Sequence, residues 1–255
     1  MKYRHKGMSI QIEATYEAIS QTAARMLVAQ ITLKSDSVIG LPTGSTPEGM
    51  YAYIVKMAAE HIVDFREVVT FNLDEYLNLS FDNPQSYAYY MHKHLFDKVN
   101  LSPLNTYIPS GTHANAEAVC EAYDKAIFQK GKIDMQILGI GNNGHIGFNE
   151  PDIKFEAGTH LVQLDAETIR ANARFFASAQ EVPKEAISIG IRNIMQAKKV
   201  VLIASGAGKA GIVKQMLFGP ITPSVPASIL QLHNDVTILL DSAAAKEIVP
   251  LLPTN

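Results

Sequence analysis

The chain has 255 residues, 47% of them hydrophobic, and its 22 basic and 25 acidic residues give a formal net charge of −3. This length accommodates one sizeable core, and the charge argues against a polyanionic partner, because nucleic-acid binders usually carry a basic excess. With a single cysteine (Cys120), no apolar leader segment and no run of about 18 apolar residues, we expect a cytoplasmic protein without nucleic-acid or membrane partners.

Strand-like and helix-like segments alternate along the chain. Apolar runs and period-two alternation predict the strands, and amphipathic periodicity predicts the helices. In chain order, the predicted elements are a strand at 8–12, a helix at 15–31, a strand at 37–41, a helix at 47–60 with Thr46 as its N-cap, a strand at 68–72, helices at 86–96 and 115–130, strands at 135–141 and 159–164, a helix at 166–173, strands at 186–190 and 199–205, a helix at 208–218 and a strand at 236–241.

This alternation predicts an α/β fold with a mostly parallel central sheet. The chain contains no linker, low-complexity tract or internal repeat, so residues 1–255 are interpreted as a single catalytic domain. Ligands of open parallel sheets lie beyond the carboxyl ends of the strands. The loops that follow predicted strands, at 42–46, 72–79, 139–151 and 205–209, are therefore expected to form the site.

Residues 137–151, ILGIGNNGHIGFNEP, contain the spacing of the dinucleotide fingerprint G-x-G-x-x-G. A predicted strand precedes the glycines, and Asp165 lies about 20 residues further on, as that fingerprint requires. The fingerprint must also open a helix, however, and Gly147 and Pro151 prevent one here. We therefore interpret the glycines as residues that let the backbone turn sharply and approach a ligand.

His145 and Glu150 lie five residues apart in this loop, a pairing that favours acid–base chemistry. A carboxylate bound to one ring nitrogen fixes the histidine tautomer, and Asn143 could hold the ring from its other side. A metal site is the alternative, with His160 or His113 as a third ligand only by default. A surface histidine on a glycine-rich turn is the other alternative, and the surrounding glycines and N-E-P favour function.

Two strand–turn–helix segments are typical of anion binding. Thr43, Gly44, Ser45 and Thr46 combine hydroxyl groups, a glycine and a helix N-terminus, although ordinary helix capping explains them about equally well. No Lys-Ser/Thr pair follows, so this is not a nucleotide P-loop. Lys209 lies near the start of the other helix, where a cation opposes the macrodipole. A bound anion nearby would explain a cation at this position, and a solvated lysine is the alternative.

Further candidates are Asp74, Tyr87 and Arg174. Asp74 and Glu75 end a predicted strand, and one carboxylate beside a substrate carbon can act as a general base; a pair of solvated loop acids is the alternative. Tyr87 begins a predicted helix and either closes over a ligand or packs in the core. Arg174 precedes two phenylalanines and either binds phosphate or forms a surface salt bridge. Together the patterns favour proton-transfer chemistry on a small phosphorylated metabolite.

The motifs together resemble the glucosamine-6-phosphate deaminase (isomerase) family over nearly the whole chain. The resemblance rests on six segments in the family's order: LPTGSTP, NLDEYLNL with QSYAYYM, GIGNNGHIGFNEP, RANARFF, SGAGKA and PASILQLH. It implies a Rossmann-like three-layer α/β fold and a reaction without metal or cofactor, in which glucosamine 6-phosphate and water give fructose 6-phosphate and ammonia.

The resemblance also implies residue roles. Asp74 is expected to move a proton from C2 to C1 through an enolamine, and His145 to open the pyranose ring, with Glu150 and Asn143 orienting it. Tyr87 is expected near the substrate, and the backbone of Gly139 is expected to face the sugar. The expected phosphate ligands are Thr43, Gly44, Ser45, Thr46, Arg174 and Lys209.

The chain departs from longer family members, many of which have aspartate in place of Asn143. Their basic allosteric residues fall on His160 and Val162 here, and their long C-terminal tail has no counterpart. We therefore expect no such allostery, and a monomer or small homo-oligomer.

Other interpretations are a galactosamine-6-phosphate deaminase, a 6-phosphogluconolactonase-like hydrolase and a sugar-phosphate-binding regulator on the same fold. The hydrolase has no evident use for Asp74. The regulator needs a DNA-binding segment, and no basic helix-turn-helix stretch precedes Met8.

Overall fold

Eleven β-strands are present in the computed structural model, which describes residues 1–112, 115–176 and 178–253. His113 lies outside these residues. The strands are β1 (Lys2–His5), β2 (Met8–Glu13), β3 (Val38–Leu41), β4 (Val69–Asn72), β5 (Asp74–Tyr76), β6 (Thr106–Tyr107), β7 (Met135–Leu138), β8 (His160–Gln163), β9 (Glu185–Ser188), β10 (Lys199–Ala204) and β11 (Val236–Asp241).

Seven α-helices accompany these strands in the described part of the chain. They are α1 (Tyr16–Leu33), α2 (Glu48–Ala59), α3 (Tyr87–His94), α4 (Ala116–Gln129), α5 (Ala166–Asn172), α6 (Ile191–Gln196) and α7 (Ala210–Phe218). Short 3₁₀ helices extend α5 at Ala173–Phe175 and precede α7 at Ala207–Lys209. None of the described helices is long and apolar enough to cross a membrane.

The central sheet has eight strands in the order β1-β2-β11-β10-β7-β3-β4-β6. All neighbouring pairs are parallel except β1 with β2, which are antiparallel at the edge. The predicted α/β fold with a mostly parallel sheet is therefore confirmed. The short edge strand β1 was not predicted, because its four residues are polar and partly exposed and lack a strand-like hydrophobic pattern.

Both faces of the central sheet are buried, which makes three layers. In β10, Val200 and Leu202 belong to a core cluster with α4, α6 and α7, while Val201 and Ile203 belong to a second cluster with α1, α2 and α3. Because successive side chains of a strand point to opposite faces, a strand buried on both sides is almost continuously apolar. This is why short apolar runs predicted the central strands.

A second, antiparallel sheet stands apart from the central one, in the order β5-β9-β8. Two expectations change here: the predicted loop at 72–79 contains strand β5, and the strands predicted around β8 and β9 do not join the parallel sheet. The register pairs Asp74 with Ser188 and Ser188 with His160. Three residues, two of them acidic, give β5 no hydrophobic periodicity, so only its pairing with β9 defines it.

Helix α2 begins at Glu48, and its start differs from the prediction. Pro47 occupies the N-cap position with helical backbone angles and no side chain caps the helix from that position, so Thr46 is not the N-cap. The Tyr16 hydroxyl of α1 instead accepts a hydrogen bond from Gly49 N at 2.9 Å. A cap supplied from another helix leaves no local signature in the sequence.

Candidate active site

A cavity of about 550 Å³ lies beyond the carboxyl ends of four adjacent central strands, β10, β7, β3 and β4. The loops that follow these strands form its floor and sides, and α5 with residues 173–175 lies across it. Every predicted site residue except Glu150 lines the cavity: Thr43, Gly44, Ser45, Thr46, Asp74, Tyr87, Gly139, Asn143, His145, Arg174 and Lys209. The strand topology therefore brings segments more than 160 residues apart into one site.

His145 is oriented by a carboxylate on the side away from the cavity. Its Nδ1 lies 3.1 Å from Glu150 Oε2, and Asn143 Nδ2 donates to the same oxygen at 2.7 Å. Asn143 Oδ1 also accepts from His145 N at 3.2 Å. Because Nδ1 is engaged by Glu150, Nε2 is the ring nitrogen available for a proton transfer.

Glu150 itself lies behind His145 and does not line the cavity. Burial by itself raises the pKa of Glu150, but the hydrogen bond and charge of His145, together with Thr168 and Asn143, lower the pKa below its ordinary value. Glu150 is therefore an ionised partner for His145 at neutral pH, which is a positioning role.

One glycine of this loop, Gly141, makes room for the histidine. A Cβ on Gly141 would lie 2.5 Å from His145 Nε2, so only glycine leaves room for the imidazole ring. No helix begins between β7 and α5 among the described residues, and the Asp165 carboxylate caps α5 by accepting from Glu167 N at 2.7 Å. The dinucleotide interpretation fails on both points.

Asp74 is buried next to this loop, with 5% of its surface exposed. A Cβ on Gly147 would lie 3.6 Å from Asp74 Oδ2, which places the carboxylate beside the His145 loop. No residue in the described ranges donates a hydrogen bond to this carboxylate. Burial and then the adjacent Glu75 raise the pKa of Asp74 to about 8. A carboxylate of this kind is a far stronger base than a solvated aspartate.

Glu75 is also buried, so the alternative of two solvated loop acids is wrong for this pair. Its carboxylate points away from the cavity and accepts from the backbone N–H groups of Tyr76, Tyr87 and Ala88, each at 2.9 Å. Glu75 thereby caps the N-terminus of α3 and fixes Tyr87 at the cavity wall. The two neighbouring acids have different tasks because adjacent residues of a strand face opposite sides.

Two cations, Arg174 and Lys209, also line the cavity, and each donates hydrogen bonds to neutral groups. Arg174 donates to Ser45 Oγ at 3.0 Å and stacks on Phe175, and Lys209 donates to Ile140 O at 2.7 Å and Asn142 Oδ1 at 2.6 Å. Neither forms an ion pair with any residue that the structure describes. Burial, and then the charge of Arg174, lower the pKa of Lys209 to about 8. Arg174 contacts the loop before α2 and Lys209 lies at the start of α7, so two cations that form no ion pair in the described part of the chain lie beside two helix N-termini, an arrangement that favours an anionic ligand.

Three residues that contribute to the site were not predicted. The Thr168 hydroxyl lies 3.3 Å from His145 Nδ1, Ser188 Oγ accepts from Phe148 N at 3.0 Å, and Tyr16 lines the cavity beside Ser45. Each reaches the site from an element far away in the chain. The sequence signals for them are weak, because a lone Thr, Ser or Tyr on a helix or strand is usually structural.

The metal alternative needs a third ligand near His145 and Glu150, and of the two candidates only His160 lies in the described part of the chain. Within the ranges described, no three His, Cys, Asp or Glu side chains come close enough together to hold a metal ion. His160 does not line the cavity, and its Nδ1 lies 3.0 Å from Gly158 O.

Comparison with known proteins identifies the family. Residues 11–239 match the model of the family described as glucosamine-6-phosphate isomerases/6-phosphogluconolactonase. The chain belongs to this family. A glucosamine-6-phosphate deaminase of Clostridium acetobutylicum is 53% identical over 239 residues, covering 94% of this chain and 99% of that protein. One from Clostridioides difficile is 50% identical over 243 residues, covering 95% and 98%.

Solved structures show the same fold. A monomeric glucosamine-6-phosphate deaminase superposes with a TM-score of 0.91 at 43% identity, covering 93% of this chain and 99% of that one. A 6-phosphogluconolactonase from Leishmania guyanensis superposes with a TM-score of 0.72 at 22% identity, covering 94% and 98%, which shows the shared fold alone. Membership of this family thus establishes the fold, and the reaction has to be inferred from the residues that line the cavity.

Proposed function

We propose that the protein is a glucosamine-6-phosphate deaminase, with glucosamine 6-phosphate and water as substrates and fructose 6-phosphate and ammonia as products. The relatives of about 50% identity that bear this name support the proposal. The observation that carries it is the cavity itself: a buried carboxylate without a hydrogen-bond donor among the described residues, a carboxylate-oriented histidine, and two unpaired cations.

The cations fix the orientation of the substrate. The phosphate would bind Arg174, Lys209 and the loop at 43–46, because guanidinium, ammonium and helix N-terminal N–H groups all favour a dianion. The sugar then extends toward Gly139, His145 and Asp74.

Ring opening is assigned to His145. Its Nε2 would take the proton of the C1 hydroxyl and return a proton to the ring oxygen as the C1–O5 bond breaks. Glu150 and Thr168 both contact Nδ1, the other ring nitrogen, and this restricts rotation of the imidazole. The product of this step is the open-chain amino aldose.

Asp74 is assigned the carbon-acid step. It would remove the C2 proton while O1 takes up a proton from the substrate's own ammonium group, which gives an enolamine, and Asp74 would then deliver its proton to C1. The resulting imine at C2 takes up water, and ammonia leaves. A dry carboxylate with a raised pKa suits this step, because it both accepts and returns a proton near neutrality.

A lactonase on the same fold is the second candidate. Lactone hydrolysis removes no proton from carbon, so it gives Asp74 no task. A galactosamine-6-phosphate deaminase is the third candidate, since its substrate has the same C2 chemistry as glucosamine 6-phosphate and differs only in the configuration of one hydroxyl group.

Assays of the purified protein distinguish these candidates. The protein is supplied in parallel with glucosamine 6-phosphate, galactosamine 6-phosphate or 6-phosphogluconolactone, and one sample is treated with a chelator. We expect equimolar ammonia and fructose 6-phosphate from the glucosamine substrate, unaffected by chelation. Preference for the galactosamine epimer would keep the mechanism and change the substrate. Lactone hydrolysis without ammonia release would contradict the proposal.

The pH dependence of kcat/KM is expected to be bell-shaped with a maximum near pH 8. Below about pH 8 Asp74 takes up a proton and ceases to be a base, so the rate falls. Above about pH 8 Lys209 loses its charge, so phosphate binding weakens. Initial rates at low substrate from pH 5.5 to 10 measure both limbs.

The variant Lys209→Arg separates the two limbs. A guanidinium stays charged throughout this range, so the alkaline limb should move upward by more than one pH unit while the acidic limb stays in place. An unchanged alkaline limb in Lys209→Arg would remove Lys209 as its origin.

A monomer or small homo-oligomer without allosteric activation remains the prediction for the assembly. The monomeric state reported for the solved deaminase relative supports it. The absence of a basic pair at His160 and Val162 also supports it, since the resemblance places the activator-binding residues of longer members there.

A further inference from the structure

Three tyrosine hydroxyls hold backbone carbonyl groups of the loop at 42–46. Tyr51 Oη donates to Pro42 O at 2.5 Å, and Tyr90 Oη donates to Gly44 O at 2.7 Å. Tyr16 Oη lies 3.0 Å from Thr46 O and 3.1 Å from Ser45 O. The donors come from helices α1, α2 and α3, so three elements converge on one short loop.

These contacts determine which backbone groups of the loop face the cavity. Tyr51 is fully buried, and neither Tyr51 nor Tyr90 lines the cavity, so the Pro42 and Gly44 carbonyls point into the protein. Gly44 has a φ of 86°, which permits the required turn. A carbonyl oxygen facing the cavity would repel an anion, whereas N–H groups attract it. Carbonyl groups that are bonded to the tyrosines point away from the cavity, so the N–H groups of the loop remain available to an anion.

Tyr16 has a second task at the start of α2. Its hydroxyl accepts from Gly49 N while it donates to the carbonyl of Thr46, so one side chain links the loop to the helix. A Cβ on Gly49 would lie 2.5 Å from Ser20 Oγ and 3.0 Å from Tyr16 Oη. Glycine at position 49 therefore permits the close approach of α1 that brings the tyrosine into place.

We propose that Tyr16 and Tyr90 are positioning residues for the phosphate group, acting through the carbonyl groups of Thr46 and Gly44 rather than by touching the substrate's reacting atoms. The proposal rests on the proposed function insofar as a sugar phosphate is the ligand. It goes beyond that function by assigning the phosphate affinity partly to two hydroxyl groups on α1 and α3.

Tyr16→Phe and Tyr90→Phe test the proposal, with Tyr53→Phe as the matched control. Tyr53 lies on α2 and its hydroxyl accepts from Gln21 Nε2 of α1 at 2.7 Å, so it bonds the same helices without touching the loop. Binding of inorganic phosphate is measured by calorimetry, KM and kcat are measured for glucosamine 6-phosphate, and thermal unfolding is measured for each variant.

Tyr90→Phe should weaken inorganic phosphate binding and raise KM by about three- to tenfold, the effect of one lost hydrogen bond, with kcat within about twofold of wild type. Tyr16→Phe should have at least as large an effect on phosphate binding and KM, because it also loses the hydrogen bond from Gly49 N. Tyr53→Phe should bind phosphate as wild type does. The proposal is overturned if both variants bind phosphate with wild-type affinity, or if Tyr53→Phe loses phosphate affinity to the same extent. It is also overturned if the variants lower kcat at constant KM, or if the wild-type protein binds no phosphate. A wild type that binds phosphate but releases no ammonia refutes the deaminase function alone, and phosphate affinity then decides the tyrosines' role.

Discussion

Asp74→Asn is expected to lower kcat by about a hundred- to ten-thousandfold, the usual contribution of a general base. The amide occupies the same volume but cannot accept the C2 proton. Inorganic phosphate affinity should stay within about twofold of wild type, because Arg174 and Lys209 bond Ser45, Ile140 and Asn142 rather than Asp74. Turnover by steady-state assay and phosphate binding by calorimetry measure the two halves of this prediction. Wild-type turnover in the variant would remove Asp74 as the base.

The same variant has a consequence for stability that does not depend on activity. The pKa of Asp74 is about 8 in the folded protein and near 4 in an unfolded chain, so the folded state binds the proton more tightly. Its contribution to stability is present in full below the unfolded pKa and is lost as pH rises toward 8. Asparagine does not ionise, so Asp74→Asn does not lose this stabilisation. Its free energy of unfolding relative to that of the wild type should therefore increase between pH 5 and pH 9, by about 1.4 kcal/mol for each pH unit up to pH 8.

Denaturant unfolding at the two pH values measures this change. Asp36→Asn serves as the control, because Asp36 is exposed on the surface. A difference between Asp74→Asn and wild type that is equal at pH 5 and pH 9 would show that Asp74 keeps an ordinary pKa.

His145→Gln is expected to reduce turnover of the closed-ring substrate by about a hundred- to ten-thousandfold, while an open-chain analogue loses far less. Glutamine retains a polar side chain but cannot exchange a proton at neutral pH. Only the ring form requires the proton transfer between the C1 hydroxyl and the ring oxygen. The ratio of kcat/KM for the two substrates isolates the ring-opening step.

His160→Gln is the matched control for the histidine. It removes an imidazole near the second sheet that does not line the cavity, so both substrates should turn over as in wild type. Equal losses on the closed and open substrates in His145→Gln would assign the histidine to a step after ring opening.

Asn143 shows how this chain replaces the aspartate expected from longer family members. Its Nδ2 donates to Glu150 and its Oδ1 accepts from the backbone of His145. An aspartate could not donate to Glu150, and it would place a second negative charge beside it. Glu150 is therefore the carboxylate partner that His145 has here.

Much of the candidate site could be predicted from the sequence because its residues follow strands. The carboxyl ends of parallel strands lie at one edge of a sheet, so the loops at 42–46, 139–151 and 205–209 were expected at the same edge once a parallel sheet was predicted, and the strand order then places them side by side. His145 and Glu150 are close in the chain, so the loop itself brings them together.

The tertiary structure alone decided which polar groups are buried and which neighbours they have. Asp74 has its raised pKa because β5 pairs with β9 and buries the carboxylate, and a three-residue strand leaves no pattern in the sequence. Tyr16 caps α2, and Thr168 lies against His145, across 33 and 23 residues of chain. The sequence by itself determined the main helices, the central parallel strands and the chemical groups, since periodicity and residue type are local, but it did not determine β1 or β5. The burial and hydrogen bonding that set their reactivity depend on contacts between distant segments, which only the folded chain defines.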